Sequence, residues 1–155
     1  MTPNLWVNQG TNYTFLTGDQ VVFNDTGSAN PAVNLQATVV PTSLLVSNAA
    51  NHYSFSGAGS IGGFTALTKT NSGTLTILNT NTYTGPTVVG GGVVEVAASL
   101  PVGSPSPLGL TTADPGNLVF YDAIFCDTIL QFVRSLRETW LGPSDPSAAF
   151  VGVTA

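Results

Sequence analysis

The chain has 155 residues, enough for one domain that buries roughly 70% of its unfolded surface. Hydrophobic residues make up 43% and charged residues only 7%, whereas an average soluble protein has roughly 25% charged residues. Its eight acidic and three basic residues argue against nucleic acid as a partner, because phosphate binding needs clustered Lys and Arg. No apolar run of about 18 residues occurs, so no membrane-spanning helix is predicted.

Short runs of alternating apolar residues fill the first 120 residues and predict strands that are buried on one face. Neighbouring runs recur roughly every ten residues, with Gly, Pro, Asn and Asp between them. This spacing predicts strands that coil at a near-constant pitch, so that inward residues stack from turn to turn. The alternating pairs are Val21 and Phe23, Val33 and Leu35, Leu44 and Val46, Tyr53 and Phe55, Leu75 and Ile77, Val94 and Val96, and Leu118 and Phe120.

Residues 64–96 have the pattern of one complete turn of a repeat. Alternating β-branched runs at residues 74–77, 87–89 and 93–96 are separated by glycine-rich and proline-containing breaks. Three short strands with three corners are the layout of one rung of a parallel β-helix.

The same stretch closely resembles the autotransporter-associated β-strand repeat, also called the passenger-associated transport repeat. The family elements stand here as Leu67-Thr68-Lys69, Gly73-Thr74-Leu75-Thr76, Asn81-Thr82-Tyr83-Thr84-Gly85, Thr87-Val88-Val89 and the run from Gly91 to Val96. The resemblance implies an all-β, right-handed parallel β-helix in a surface-displayed protein, with the repeat as scaffold. Residues 1–63 look like the less regular segment that often precedes such a repeat.

A proline-rich stretch at residues 99–116 contains three prolines, Pro101, Pro105 and Pro107, which exclude a central strand. We expect an ordered loop carried on the coil, with a flexible linker as the alternative. The run at residues 118–120 then predicts a return to the coil, which gives a β-helix domain over residues 1–122.

The period changes after Asp122, where large apolar residues follow at spacings of three and four. Asp122 is a suitable N-cap, and Gly142 with Pro143 is a typical helix stop. Residues 123–155 are therefore predicted to form a short C-terminal α-helix and a tail that cap the coil or dock a partner. The predicted docking face consists of Phe125, Ile129, Val133, Leu136 and Trp140.

The charged residues of the predicted coil are Asp19, Asp25, Lys69, Glu95 and Asp114, each alone in its part of the sequence. Polysaccharide hydrolases need two carboxylates close together, and other β-helix enzymes a carboxylate beside a cation. Scattered charges do not predict such a site, so we predict no enzyme, catalytic residue or cofactor. Calcium bound by Asp19 and Asp25 is a weaker alternative, because no Gly-Gly-x-Gly-x-Asp repeat is present.

Other reactive side chains favour structural roles. His52 has no acid beside it and is predicted to be a corner residue next to the Tyr53 strand. Cys126, the single cysteine, lies among apolar residues and is predicted to be a small buried hydrophobe. No lysine or helix follows Gly90, Gly91 and Gly92, which favours a tight corner over a phosphate loop.

Buried corner asparagines are predicted at Asn79 and Asn81, where a hydrogen-bonded ladder is favoured over carbohydrate binding. Tyr13, Tyr53, Tyr83 and Trp6 could form a sugar-stacking face, but their positions in the sequence do not place them together.

Two functional hypotheses follow for a non-enzymatic structural protein. The first is a virion decoration or fibre-like subunit on the virion surface, since neither a signal peptide nor an export barrel is evident and the apolar helix offers a docking face. Its partners would be copies of itself or a capsid-like lattice, and a homo-oligomer is expected. The second is a fragment of a secreted autotransporter-like adhesin passenger at the cell surface or outside the cell.

Overall fold

The structure is a computed structural model that describes residues 6–8, 10–27, 32–96, 103–110 and 112–121. These residues contain thirteen short strands and one 3-10 turn. The first six strands are β1 (Trp6–Asn8), β2 (Thr11–Tyr13), β3 (Gln20–Asn24), β4 (Ala32–Asn34), β5 (Ser43–Ser47) and β6 (Tyr53–Ser56). They are followed by β7 (Ala66–Thr70), β8 (Thr74–Ile77), β9 (Thr87–Val89) and β10 (Val93–Val96). The last elements are β11 (Pro105–Ser106), β12 (Gly109–Leu110), the 3-10 turn Pro115–Asn117 and β13 (Leu118–Phe120).

Two parallel sheets face each other across the core. The long sheet has the order β13-β9-β7-β5-β3, and the short sheet has the order β10-β8-β6-β4. Every pairing within these two sheets is parallel and joins strands of successive turns. The chain alternates between the sheets, which confirms the predicted parallel β-solenoid.

The strand register sets the length of each turn. Val21 pairs with Leu44 and Leu44 with Leu67, so the first two turns are equal in length. The next turn, from Leu67 to Thr87, is slightly shorter, and the turn from Thr87 to Leu118 is the longest because it contains the proline-rich stretch. The near-constant spacing of the alternating runs is thus half a turn, because the chain crosses from one sheet to the other between successive runs.

An irregular third side links each short-sheet strand to the next long-sheet strand. Here Val39 and Ile61 form an isolated parallel bridge, and the N–H of Thr82 donates to the carbonyl of Ile61 at 2.8 Å. The long last turn adds a small antiparallel hairpin, β11–β12, on this side. Ser106 of that hairpin bridges to Asn81, which ties the described part of the proline-rich stretch to the preceding turn.

Inward residues of the two sheets form the core. The alternating pairs point inward as predicted, and nine of their fourteen residues are buried. The buried apolar residues are Val21, Leu44, Val46, Tyr53, Phe55, Ile61, Leu67, Leu75, Ile77, Tyr83, Val89, Val94, Val96 and Leu108.

An antiparallel hairpin, β1–β2, precedes the first turn and is not evident from the sequence. Trp6 of this hairpin packs against Phe23 of β3, with 5.5 Å between ring centroids in an edge-on arrangement. Phe23 in turn contacts Tyr53 and Phe55, each at 5.1 Å between centroids. The hairpin therefore covers the apolar residues of the first turn with an aromatic cluster.

The predicted C-terminal helix and its docking face lie outside the described residues, within which no α-helix occurs. The structure thus supports the all-β solenoid and gives no support to the α-helix that the fold prediction added to it.

Candidate functional site

Two charged residues, Asp25 and Lys69, bind the main chain on the side of the coil where the chain leaves each long-sheet strand. Asp25 lies in the first corner on this side and accepts hydrogen bonds from three consecutive N–H groups of the next corner. Its Oδ2 lies 2.8 Å from Ala49 N, and its Oδ1 lies 3.0 Å from Ala50 N and 2.9 Å from Asn51 N. These donors, Asn51 first, hold the pKa of Asp25 below its usual value.

Lys69 is the complementary group two turns further along. Its side chain points inward from β7, and none of its surface is exposed to solvent. The Nζ atom donates to the carbonyls of Thr70 at 2.8 Å, Asn71 at 3.0 Å and Gly91 at 3.4 Å. Burial lowers the pKa of Lys69 to about 8, although the charge of Asp25 acts in the opposite direction.

Together these two residues form hydrogen bonds to main-chain N–H groups and to main-chain carbonyls of the corners that lie one above another on this side of the coil. The carboxylate accepts from N–H groups of the second corner, and the ammonium donates to carbonyls of the third and fourth corners. The arrangement ties adjacent turns together at a side of the coil where no β-ladder does so. Its chemistry is structural, because the hydrogen bonds of these two charges all go to the main chain of the described corners.

The three consecutive glycines at residues 90–92 form the fourth corner, as predicted. Gly92 has a φ of 72°, in the left-handed region that favours glycine. A Cβ on Gly92 would collide with the carbonyl oxygens of Asn71 and Gly73 and come within 2.8 Å of Lys69 Nζ. Glycine is needed here because this corner rests directly on the corner below it.

The remaining charged residues of the described chain each accept a hydrogen bond from another part of the protein. Asp19 accepts from the N–H of Leu16 at 2.7 Å, and Asp114 caps the 3-10 turn by accepting from Gly116 N at 2.8 Å. Glu95 lies on the outer face of the short sheet and accepts from Thr76 Oγ1 at 3.0 Å. The described residues contain no group of three or more His, Cys, Asp or Glu side chains that could hold a metal ion.

His52 lies at a corner beside β6, as predicted. Its exposed ring accepts a hydrogen bond at Nδ1 from the N–H of Thr74, one turn further along, at 3.1 Å. This contact is another link between turns. Cys126 lies outside the described residues.

The asparagines at the third-side corner are buried and hydrogen-bonded, which confirms the structural interpretation. Asn81 Oδ1 accepts from Ile61 N and from Asn79 Nδ2, both at 2.8 Å, and Asn81 Nδ2 donates to the carbonyl of Pro107 at 2.8 Å. Asn79 also donates to Gly59 O at 3.2 Å. The two side chains pair within one corner and reach the turns on either side, rather than forming a ladder of identical residues.

Three of the four aromatic residues considered for sugar stacking lie close together, contrary to the prediction. Trp6 pairs with Tyr13 across the β1–β2 hairpin, and Trp6 and Tyr53 both pack against Phe23. Tyr53 and Tyr83 are buried, and burial raises the pKa of both hydroxyl groups. Tyr53 donates to Asn24 O at 2.6 Å, whereas Tyr83 pairs with Thr87 Oγ1 at 2.8 Å. Because Tyr53 and Tyr83 are both buried, the four rings do not form an exposed face for sugar stacking.

The outer faces of the two sheets differ in chemistry. The central outward row of the long sheet is mostly apolar and consists of Val22, Leu45, Thr68, Val88 and Val119. The short sheet instead presents hydroxyl and carboxylate groups, with Ser54, Thr76 and Glu95 in one outward row. The sequence predicts outward alternation but not this difference between the faces, which depends on which strands share a sheet.

Comparison with known proteins identifies a repeat that contains the last two of these corners. The family description "Passenger-associated-transport-repeat" matches residues 67–96, which run from β7 to β10. Those residues are a passenger-associated transport repeat. Lys69 and Gly92 both lie within it. The three residues whose carbonyls accept from the Lys69 ammonium, Thr70, Asn71 and Gly91, belong to the same repeat.

Part of the chain is also similar in sequence to a known adhesin. The chain is 38% identical over 64 residues to a protein named "Adhesin BmaC autotransporter" from Brucella suis biovar 1 (strain 1330). The aligned segment is 41% of this chain but only 2% of that relative's length. No solved structure gives a significant match. Among the described residues, no helix is long and apolar enough to cross a membrane.

Proposed function

We propose that this chain is a non-enzymatic scaffold segment of an autotransporter-type adhesin passenger, displayed at the cell surface or outside the cell. The observation that carries the proposal is the passenger-associated transport repeat, whose four strands fold as about one and a half turns of a parallel solenoid. The name of the Brucella relative, an autotransporter adhesin, supports the same class. The described charged groups support a scaffold role, because Asp25 and Lys69 are hydrogen-bonded to the main chain of neighbouring corners.

The virion-decoration hypothesis, which the sequence alone favours, is the less supported of the two. It depends on the lack of an evident signal peptide and export barrel and on a docking helix that lies outside the described residues. The segment aligned with the relative is only 2% of that relative's length, so the chain corresponds to a small part of a long protein of that kind. Neither the matched family nor the matched relative concerns a virion. The adhesin-passenger alternative is therefore the better supported of the two, and the predicted homo-oligomer stays a prediction.

Surface labelling of intact cells tests the proposal. Antibodies raised against the purified chain are applied to cells of the source organism before and after permeabilisation, with a cytoplasmic protein as the internal control. We expect labelling of intact cells and loss of the signal after external protease treatment. Labelling only after permeabilisation would contradict the proposed location.

Adhesion is tested separately with beads that carry either the folded chain or the same chain after heat unfolding. An adhesive segment should bind host cells only in its folded form. If the chain is displayed but the folded beads bind no better than the unfolded ones, this segment is a spacer within the passenger rather than an adhesive part of it.

A further inference from the structure

The corner that follows β3 carries a sequence motif for attachment of a sugar to a side-chain amide. Asn24, Asp25 and Thr26 read Asn-x-Thr, with a residue other than proline in the middle, which is the acceptor pattern of N-glycosylation. Asn12 and Asn24 are the two asparagines of the chain that are followed two positions later by Ser or Thr. The hydrogen bonds at Asn24 show what its amide is free to do.

The Asn24 side chain lies on the outer surface of the coil. Asn24 ends β3, the outermost strand of the long sheet, and Thr26 is exposed in the corner that follows. Val21 and Phe23 point into the core, so the alternation of the strand places Asn24 on the outward face. A bulky, hydrophilic sugar needs a surface position, which Asn24 has and the fully buried Asn81 lacks.

The hydrogen bonds of this corner fix the orientation of the Asn24 amide. Its Oδ1 accepts from Thr26 Oγ1 at 2.6 Å and from Thr26 N at 3.0 Å. A main-chain N–H can only donate, so the amide atom that faces Thr26 is the oxygen, and Nδ2 lies on the other branch of the amide. The carbonyl of Asn24 accepts from the Tyr53 hydroxyl and from Gly27 N, whereas Nδ2 makes no hydrogen bond to the described residues. A substituent on Nδ2 would therefore break no hydrogen bond of the described fold.

We propose that Asn24 is a glycosylation site, at which Nδ2 takes a sugar from an activated donor of the sugar-diphosphate class. Nδ2 bonds to the anomeric carbon, the bond from that carbon to the diphosphate oxygen breaks with its electron pair on the leaving diphosphate, and Nδ2 gives one proton to a base of the glycosyltransferase. The donor and the base come from that enzyme. Oδ1 keeps both of its bonds to Thr26, and the Asp25 carboxylate stays bound to the next corner.

A sugar at this position would hydrate an apolar part of the surface. Val22, the next outward residue of β3, is 54% exposed and begins the apolar central row of the long sheet. Charged residues make up only 7% of the chain, so few charges keep the surface soluble. The benefit of the sugar rests on the proposed display outside the cell, but its attachment is tested independently of that location.

Mass spectrometry of the natural chain isolated from cells of the source organism provides the test. Chymotrypsin cleaves after aromatic residues, so cleavage after Tyr13 and Phe23 separates the peptides of the two motifs. We expect the peptide that contains Asn24 to carry the added mass of a sugar, with fragmentation locating it on that residue. An unmodified Asn24 would overturn the proposal, as would a sugar confined to Asn12.

A matched pair at Thr26, produced in the same cells, tests the role of the hydroxyl. Thr26→Ser keeps the hydroxyl and should keep the sugar, whereas Thr26→Val has the same shape without the hydroxyl and should lose it. A sugar on Asn24 that persists in Thr26→Val would show that the Asn-x-Thr motif does not direct the modification. If circular dichroism shows that Thr26→Val does not fold, Asn24→Gln replaces it, and retention of the sugar mass on that peptide would contradict the proposal.

Failure of this proposal and failure of the proposed function give different results. An unmodified Asn24 in a chain that antibodies label on intact cells would refute the glycosylation site alone. A sugar on Asn24 of a chain that is labelled only after permeabilisation would refute the surface location alone.

Discussion

The ammonium of Lys69 lies against Gly92, at the position where any other residue would carry its side chain. A Cβ on Gly92 would come within 2.8 Å of Lys69 Nζ and still closer to two carbonyl oxygens, those of Asn71 and Gly73. The lysine and the glycine thus depend on each other: the corner closes tightly because position 92 has no side chain, and closure brings Gly91 O to 3.4 Å from the ammonium. This relationship joins two turns of the coil and leads to the first two predictions.

Lys69→Met should destabilise the fold by about 1–2 kcal/mol at pH 7, because three carbonyls lose a charged donor while the apolar stem is largely kept. Lys69→Ala should cost more, about 2–5 kcal/mol, because the stem also packs in the core between two valines. Thr68→Ala, outward on the same strand, is the control and should stay within about 0.5 kcal/mol of the natural chain. Denaturant unfolding followed by circular dichroism measures the free energy of unfolding of all three variants. An unchanged value for Lys69→Met would show that the ammonium contacts do not stabilise the fold.

Gly92→Ala should be far more damaging than alanine at comparable glycines. Gly103 also has a positive φ, 74°, but nothing lies within 4 Å of the position that a Cβ would take there, so Gly103→Ala should cost only the left-handed strain of about 1–2 kcal/mol. Gly92→Ala adds collisions with two carbonyls and should lower stability by at least about 3 kcal/mol, or prevent folding. Thermal unfolding of the two variants compares them, and equal losses would mean that backbone strain alone explains the glycine.

The alternation of the sequence is sufficient to predict a parallel coil. Pairs such as Leu44 with Val46 and Leu75 with Ile77 specify inward faces. The number of strands in a turn was predicted wrongly, because residues 64–96 hold four strands over about one and a half turns rather than three strands of one turn. The repeat between residues 67 and 96 is identifiable from its own motif. These features are local or periodic, which is why one sequence reveals them.

The roles of single residues depend on pairings that the sequence does not contain. Lys69 stands at an inward position, two residues after the buried Leu67, which is the available sign that its ammonium is buried. Its acceptors, however, include a carbonyl 22 residues away, as the donors to Asp25 lie 24 to 26 residues away. The β1–β2 hairpin escapes prediction because residues 6–13 alternate too briefly to differ from the irregular segment around them.

Alkaline pH should reveal the burial of Lys69. Its folded pKa of about 8 lies below the ordinary 10.5, so between these values the unfolded chain binds more protons than the folded protein. The contribution of Lys69 to the free energy of unfolding should therefore rise from about pH 8 to pH 10.5. The measured quantity is the difference in unfolding free energy between the natural chain and Lys69→Met, in which titration of the tyrosines cancels. A flat difference across this range would contradict the burial of the ammonium.

Acid should reduce the stability that the Asp25 carboxylate provides by joining the first two corners. The pKa of Asp25 is held below 3.8 by the three N–H groups it accepts from, so its stabilising effect is present above that value and is lost as the pH falls through the lower folded pKa. Asp25→Asn should have a lower Tm than the natural chain at pH 7, and the gap should narrow once the pH falls below 3.8. Asp19→Asn, which removes a carboxylate with a single local N–H donor, is the matched control. A gap that is constant down to low pH would show that the charge of Asp25 is not what binds the corner.

Asn81 provides the corresponding test for the third side of the coil. Its side chain is fully buried and makes three hydrogen bonds, two accepted at Oδ1 and one donated to the carbonyl of Pro107 in the loop before β12. Asn81→Ala removes the acceptor of the Ile61 N–H and one acceptor of the Asn79 side-chain amide. The free energy of unfolding should fall by about 2–4 kcal/mol, because each unsatisfied buried group costs about 1–3 kcal/mol. Tyr83→Phe, which removes one buried hydroxyl from the same corner, should cost about 1 kcal/mol and serves as the comparison.

The two variants should also differ in where the fold loosens. Because Asn81 holds the β11–β12 hairpin through Pro107, its loss should increase amide hydrogen exchange at Ser106 and Leu110, whose N–H groups bind Asn81 O and Tyr83 O. Tyr83→Phe keeps those main-chain bonds and should leave exchange there nearly unchanged. If Asn81→Ala lowers global stability but the hairpin amides stay as protected as before, the asparagine acts through packing within its own turn. The hairpin would then be held by its main-chain hydrogen bonds to Asn81 and Tyr83.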